Sequence, residues 1–162
     1  MWSFCFMPDY DAVLSTPVGL IGIRTESDAL TQIDLNLMSA AEKRAGSRVG
    51  AETVVFLQCY FEQGQWSPDT PLQLSGTAFQ QRVWRRLLAI PTGVVVTYGQ
   101  LARELKSSAR AIGQACRRNP CPIVVPCHRV VAASGLGGFA GATSGAMSDI
   151  KQWLLRHEGV EF

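Results

Sequence analysis

The chain has 162 residues, 47% of them hydrophobic and 17% charged, which is enough apolar material for one domain or two small packed ones and excludes global disorder. Its net charge of +2 conceals an asymmetry: residues 1–75 hold four basic against nine acidic side chains, and residues 76–162 hold eleven against four. The second half therefore carries an excess of seven positive charges, as expected of a surface that meets a polyanion, although a solvated basic face would read the same way. No run of about 18 apolar residues is present, so no membrane partner is expected. Met1 to Leu14 carries Asp9 and Asp11 and lacks the basic start and apolar stretch of a secretory signal. Together with an odd count of five cysteines, this points to free thiols in a reducing, cytoplasmic compartment.

In chain order, Ala12 to Arg24 reads as two short strands around a Thr16-Pro17 turn. Ala29 to Met38 alternates as a half-buried strand would. Thr53 to Glu62 reads as a helix stopped by Gly64, followed by a loop through Pro71. A boundary near residue 75 then separates an α/β unit, 1–75, from a mainly helical one, 76–162. Thr77 and Gln80 have capping-box spacing and open a helix with a stripe at Phe79, Val83, Leu87 and Ile90. Pro91-Thr92-Gly93 ends it, and Val94 to Thr97 bridges to a helix from Tyr98 to Leu105. Lys106-Ser107 is a turn, and Ser108 caps a further helix that runs to about Arg118.

The last two helices have the dimensions of a helix-turn-helix. At helical spacing, Arg110, Gly113, Gln114, Arg117 and Arg118 share one face of the second helix. Ala111, Ile112, Ala115 and Cys116 share the other. Such a face suits a nucleic-acid backbone: the arginines would neutralise phosphates and Gly113 would let the helix axis approach. Few long side chains remain to read base edges, so sequence preference would be weak. An ordinary amphipathic surface helix has the same pattern.

Asn119 to Val131 reads NPCPIVVPCHRVV. Ile123-Val124-Val125 suits a buried strand ending at Pro126, which would place Cys127 at the strand end beside His128 and Arg129. Neighbouring basic groups favour the thiolate, the nucleophilic form of cysteine. A buried cysteine is equally at home as inert packing. Ser148 to His157 reads as a closing helix with Gly159 as its stop. Glu158 falls in its last turn, where the helix dipole disfavours a carboxylate. A broken local rule can mark a functional acid that orients a histidine, or a merely solvated side chain.

Read together, FQQRVW at Phe79–Trp84, IPTG at Ile90–Gly93, TYGQLA at Thr97–Ala102, ARAIG at Ala109–Gly113, RNPCPIVVPCHRVV at Arg118–Val131, GGFAG at Gly137–Gly141 and WLLRHEG at Trp153–Gly159 resemble the O6-alkylguanine-DNA alkyltransferases. The order and spacing of these segments span about residues 76–159. The resemblance implies a ribonuclease-H-like α/β unit at the N-terminus and a helical unit carrying the helix-turn-helix. It implies single-turnover repair, in which O6-alkylguanine is flipped out of double-stranded DNA and its alkyl group moves irreversibly to the protein. By position, Cys127 is the acceptor, His128 the base acting through a water, and Glu158 the residue orienting His128. Asn119 bridges the helix-turn-helix to the acceptor segment, and Tyr98 assists rotation of the nucleotide and protonation of the leaving guanine. Arg110 enters the duplex from a recognition helix in the minor groove, with Ala109, Gly113, Gln114, Arg117 and Arg118 along the DNA face. Cys116, Pro122, Val125, Val130, Phe139 and Ala140 are expected to form the substrate pocket. The family implies no cofactor, a monomer in solution, and cooperativity on DNA as an open question.

Some positions depart from the family pattern. Phe139 and Ala140 stand where many relatives have Tyr and Ser, which removes polar contacts to guanine. The loop from Ser134 to Gly138 and the linker from Tyr98 to Arg110 are short. Residues 1–75 hold Cys5 and Cys59 but no histidine, so the zinc site of some relatives is not expected, and Cys116 with Cys121 is expected to be packing. A lesion-binding adaptor, a transcription factor and a many-turnover cysteine hydrolase are the rival readings. The presence of Cys127 argues against the adaptor.

Overall fold

The computed structural model describes residues 9–64 and 69–161. The readings at Cys5 and over residues 1–8, and the centre of the loop after Gly64, fall outside them. Three antiparallel strands open the chain: β1 (Ala12–Thr16), β2 (Gly19–Glu26) and β3 (Ala29–Leu37), in the order β1-β2-β3. The first turn is braced by Thr16 Oγ1, which donates to Gly19 O at 2.6 Å and accepts from Val18 N. The second is a two-residue turn whose Ser27 and Asp28 both have positive φ, the geometry that matches strand twist. Ile21 and Ile23 are buried as the alternation requires, and a register shift between Arg24 and Thr25 lets both Leu30 and Ile33 be buried although they are three residues apart. Gly22 has no room for a side chain, because a Cβ would sit 2.4 Å from the Tyr10 ring.

Helix α1 (Arg48–Gln63) covers this sheet with Val49, Thr53, Leu57 and Tyr60. It begins five residues before the sequence suggests. Ser47 caps it by accepting from Gly50 N, and the first turn, Arg48-Val49-Gly50-Ala51, has a glycine and a single large apolar residue, too little to show a helical period. Gly64 ends it in the left-handed region at φ 66°, donating to Tyr60 O at 2.8 Å.

Helix α2 (Ala78–Leu88) has both bonds of the Thr77–Gln80 capping box. Strand β4 (Val96–Thr97) leads into α3 (Tyr98–Glu104), which has a second capping box from Thr97 and Gln100. Helix α4 (Ala109–Arg117) follows, capped by Ser108. Trp84, fully buried, ties α2 to α4 by donating from Nε1 to Ala115 O at 2.9 Å. Strand β5 (Val130–Val131) pairs in parallel with β4, and α5 (Ala146–His157) closes the chain.

The expected strand at Ile123–Val125 is absent. Ile123 has φ 74°, and Pro122 and Val125 close a tight turn held by Asn119, whose Nδ2 donates to Val125 O at 2.8 Å and whose Oδ1 accepts from Cys121 N at 3.0 Å. A short apolar run reports burial, and burial is all that was there to read. Ile33 N donates to Pro120 O at 2.8 Å, so β3 is stitched to this turn. The buried side chains of both halves form one continuous core from Ala12 to Leu154.

Candidate active site

Cys127 opens a single 3-10 turn, Cys127–Arg129, directly after the Asn119-braced turn. It lies at a cavity of about 310 Å³ whose wall includes Tyr98, Ala109, Gly113, Cys116, Arg117 and residues 138–143. The cavity thus lies between the start of α3, the face of α4 and the loop before α5. Of the expected pocket residues, Cys116, Phe139 and Ala140 line it. Pro122, Val125 and Val130 do not: Val125 and Val130 are fully buried in the core and Pro122 belongs to the turn. With no strand at Ile123–Val125, there is no edge there to form a wall.

Burial pushes the Cys127 thiol above its ordinary range, while a side-chain hydrogen bond from Asn119 and the Lys151 ammonium pull it down. The cation that assists the sulfur is therefore Lys151, and the expectation for the adjacent Arg129 is corrected. Lys151 is fully buried on α5, donating from Nζ to Val130 O at 2.6 Å and Gly138 O at 2.8 Å. Burial lowers its pKa to about 8. Its position was legible as a lone lysine on the inner stripe of α5, between Ile150 and Leu154.

Arg129 turns away from the thiol. Its Nε donates to Glu158 Oε2 and its Nη2 to Glu158 Oε1, both at 2.9 Å, and Nη1 donates to Ile90 O at 2.6 Å. His128 Nε2 donates to Glu158 Oε1 at 2.7 Å. All three side chains are fully buried. Burial opposes the Glu158 charge, but the bonds from His128 and Arg129 hold the carboxyl well below its usual range. This is why a carboxylate is tolerated at the C-cap of α5 against the dipole.

Burial also lowers the pKa of His128, which keeps it neutral. With Nε2 donating to Glu158, the lone pair of the neutral ring is on Nδ1. That nitrogen is buried and has no hydrogen-bond partner among the described residues. The imidazole is thus oriented and uncharged, with its basic atom unspent.

Tyr98 lines the cavity, and its hydroxyl donates to Gly138 O at 3.2 Å. Burial keeps its proton well above the usual tyrosine range, so it is a donor at neutral pH. On α4, Ala109, Arg110, Gln114, Arg117 and Arg118 are exposed. A Cβ on Gly113 would meet nothing within 4 Å. Arg117 also leans over the loop before α5, since a Cβ on Gly141 would lie 2.9 Å from its Nε. No group of three or more His, Cys, Asp or Glu side chains able to hold a metal occurs among the described residues. No described helix is long and apolar enough to cross a membrane.

Residues 78–160 match the family model of the 6-O-methylguanine DNA methyltransferase DNA-binding domain. The methylated-DNA–protein-cysteine methyltransferase of Methanosarcina acetivorans is 36% identical over 93% of this chain and 98% of its own. The constitutive enzyme of Bacillus subtilis is 34% identical over 95% and 98%. The crystal structure of the Mycobacterium tuberculosis O6-methylguanine methyltransferase superimposes with a TM-score of 0.78 at 34% identity, covering 90% of each chain. The same protein in complex with DNA gives 0.75, with the same identity and coverage. Agreement over nearly the whole length, in sequence and in fold, establishes that this chain belongs to the methylated-DNA–protein-cysteine methyltransferase family.

Proposed function

We propose that direct reversal of O6-alkylguanine damage runs through Cys127 as the acceptor, with His128 as its base and Glu158 as the group that orients the base. The observation that carries this is the position of Cys127 at a cavity beside α4, followed in the chain by a neutral His128 that a charged Glu158 holds. A base within the stack cannot present O6 to a buried sulfur, so the nucleotide must be everted into the cavity. The thiol proton passes through a bridging water to His128 Nδ1, and the sulfur attacks the alkyl carbon. The carbon–oxygen bond breaks as the carbon–sulfur bond forms, and guanine leaves as a neutral base on receiving a proton from Tyr98. The thioether product is not readily cleaved by water or thiols, and each molecule acts once.

Exposed Arg110, Arg117 and Arg118 with open Gly113 support docking of α4 along the minor groove, where little sequence is legible. Arg110 is the side chain placed to fill the gap left by the everted base. The antiparallel meander under α1 supports a ribonuclease-H-like reading of residues 1–75, with the helical unit from residue 76 carrying the chemistry. A cytoplasmic monomer fits the free thiols; cooperativity on DNA is read from a binding isotherm.

Mass spectrometry after mixing with duplex DNA containing O6-methylguanine tests the scheme. One methyl on Cys127, none in Cys127→Ala, and exhaustion after one equivalent are expected. An unmodified protein that still binds the lesion would be an adaptor, and continued turnover would be a hydrolase.

A further inference from the structure

We infer that Tyr60, on α1 of the N-terminal half, is a positioning residue for the transfer: its hydroxyl holds the carboxylate that orients His128. This rests on the His128–Glu158 roles proposed above and gives the N-terminal half a part in the chemistry. Tyr60 Oη donates to Glu158 Oε1 at 2.8 Å, the same oxygen that accepts from His128 Nε2 at 2.7 Å. Burial and the adjacent carboxylate push the phenol proton far above the usual tyrosine range, so it stays a donor wherever the protein is folded.

The ring is held as firmly as the hydroxyl. It is fully buried, with the Phe61 and His157 rings edge-on at 5.3 and 5.4 Å. The Tyr60 carbonyl accepts from His157 Nε2 at 2.6 Å, and His157 immediately precedes Glu158. Helix α1 therefore grips the end of α5 twice, once through backbone and once through the carboxylate itself. Each donor on Oε1 takes a share of its charge. The phenol both fixes the carboxylate rotamer and moderates its pull on the imidazole proton. Without the hydroxyl, Glu158 would pull harder, making His128 more basic and its orientation looser.

Tyr60→Phe in the full chain removes only the hydroxyl. Single-turnover transfer from a methylated duplex is measured against pH at saturating DNA, with binding affinity alongside, for Tyr60→Phe, Glu158→Gln and the double variant. The expected result is a transfer rate about tenfold lower, the worth of one hydrogen bond to a charged group, with DNA affinity unchanged. The acid limb of the rate profile moves to higher pH, and Tyr60→Phe adds nothing in the Glu158→Gln background. A wild-type rate and an unmoved acid limb, or losses that multiply in the double variant, overturn the positioning role. A wild-type rate in Glu158→Gln overturns the His128–Glu158 pairing itself. Should Tyr60→Phe fail to fold, proton NMR of the unaltered protein decides: a slowly exchanging phenol proton with a cross-peak to the His128 Nε2 proton supports the role, and its absence overturns it.

Discussion

Replacing Glu158 by glutamine changes almost no volume and removes one buried charge. The carboxylate accepts from Tyr60 Oη at 2.8 Å, His128 Nε2 at 2.7 Å, Arg129 Nε and Nη2 at 2.9 Å each, and Gly93 N at 3.4 Å. An amide has one oxygen for these donors and turns its own N–H groups toward the others. Removing one partner of a buried ion pair costs about 3–5 kcal/mol. Arg129 keeps its bonds to Ile90 O and Thr92 Oγ1, which places Glu158→Gln at the low end, about 3 kcal/mol. For a chain of this size that is a fall in Tm of roughly 6–12 °C. The pH dependence is the sharper test. A carboxyl held below its usual value contributes stability that is complete above the unfolded value of about 4.3 and fades as pH falls toward the lower native value. The gap between wild type and variant, measured by guanidinium unfolding, should narrow by about 1 kcal/mol between neutral pH and about pH 3.5. A gap below about 1 kcal/mol at neutral pH, or one that is the same at both, would refute the account.

Lys151→Met should slow transfer and move the onset of thiolate reactivity to higher pH, because the ammonium that pulls the Cys127 thiol down is gone; stopped-flow alkylation of the free protein reads this. Its pH slope in stability has the same sign as that of Glu158 but falls in an alkaline window. A lysine lowered to about 8 in the fold binds fewer protons there than in the unfolded chain, so wild type should gain stability relative to Lys151→Met as pH rises from about 8 to about 10.4. Gly113→Ala should raise stability by up to about 1 kcal/mol, since its Cβ meets nothing within 4 Å in a helix interior. The same methyl should weaken duplex binding several-fold by fluorescence anisotropy, and an unchanged affinity would mean that α4 does not approach the backbone at this point.

Much of the helical half was legible because its signals are local. Thr77 and Ser108 cap the helices they were expected to cap, since a cap depends only on a side chain and the amide three residues on. The two faces of α4 followed from helical period alone. Glu158 stood out because a carboxylate at that position contradicts the dipole, and the structure supplies the donors that compensate it. The failures share a cause of the opposite kind. Ile123–Val125 was apolar for its burial, and only Asn119 reaching across six residues to Val125 O decided that the segment turns. Pro122, Val125 and Val130 are expected in the pocket from the resemblance, and a position along the chain says little about which way a side chain faces.

From the residues alone came the helices of the second half and the two faces of α4, because composition and short-range spacing specify helices, and the motif segments carried the resemblance that singles out Cys127, His128 and Glu158. Tertiary structure decided which group each cation acts on. Arg129 adjoins the thiol's segment yet binds Glu158, while Lys151, twenty-four positions from Cys127 along the chain, supplies the charge near the sulfur. Tyr60 reaches the same carboxylate from 98 residues away. Electrostatic partnership depends on distance and burial in space, and a linear order of residues encodes neither until the core has closed.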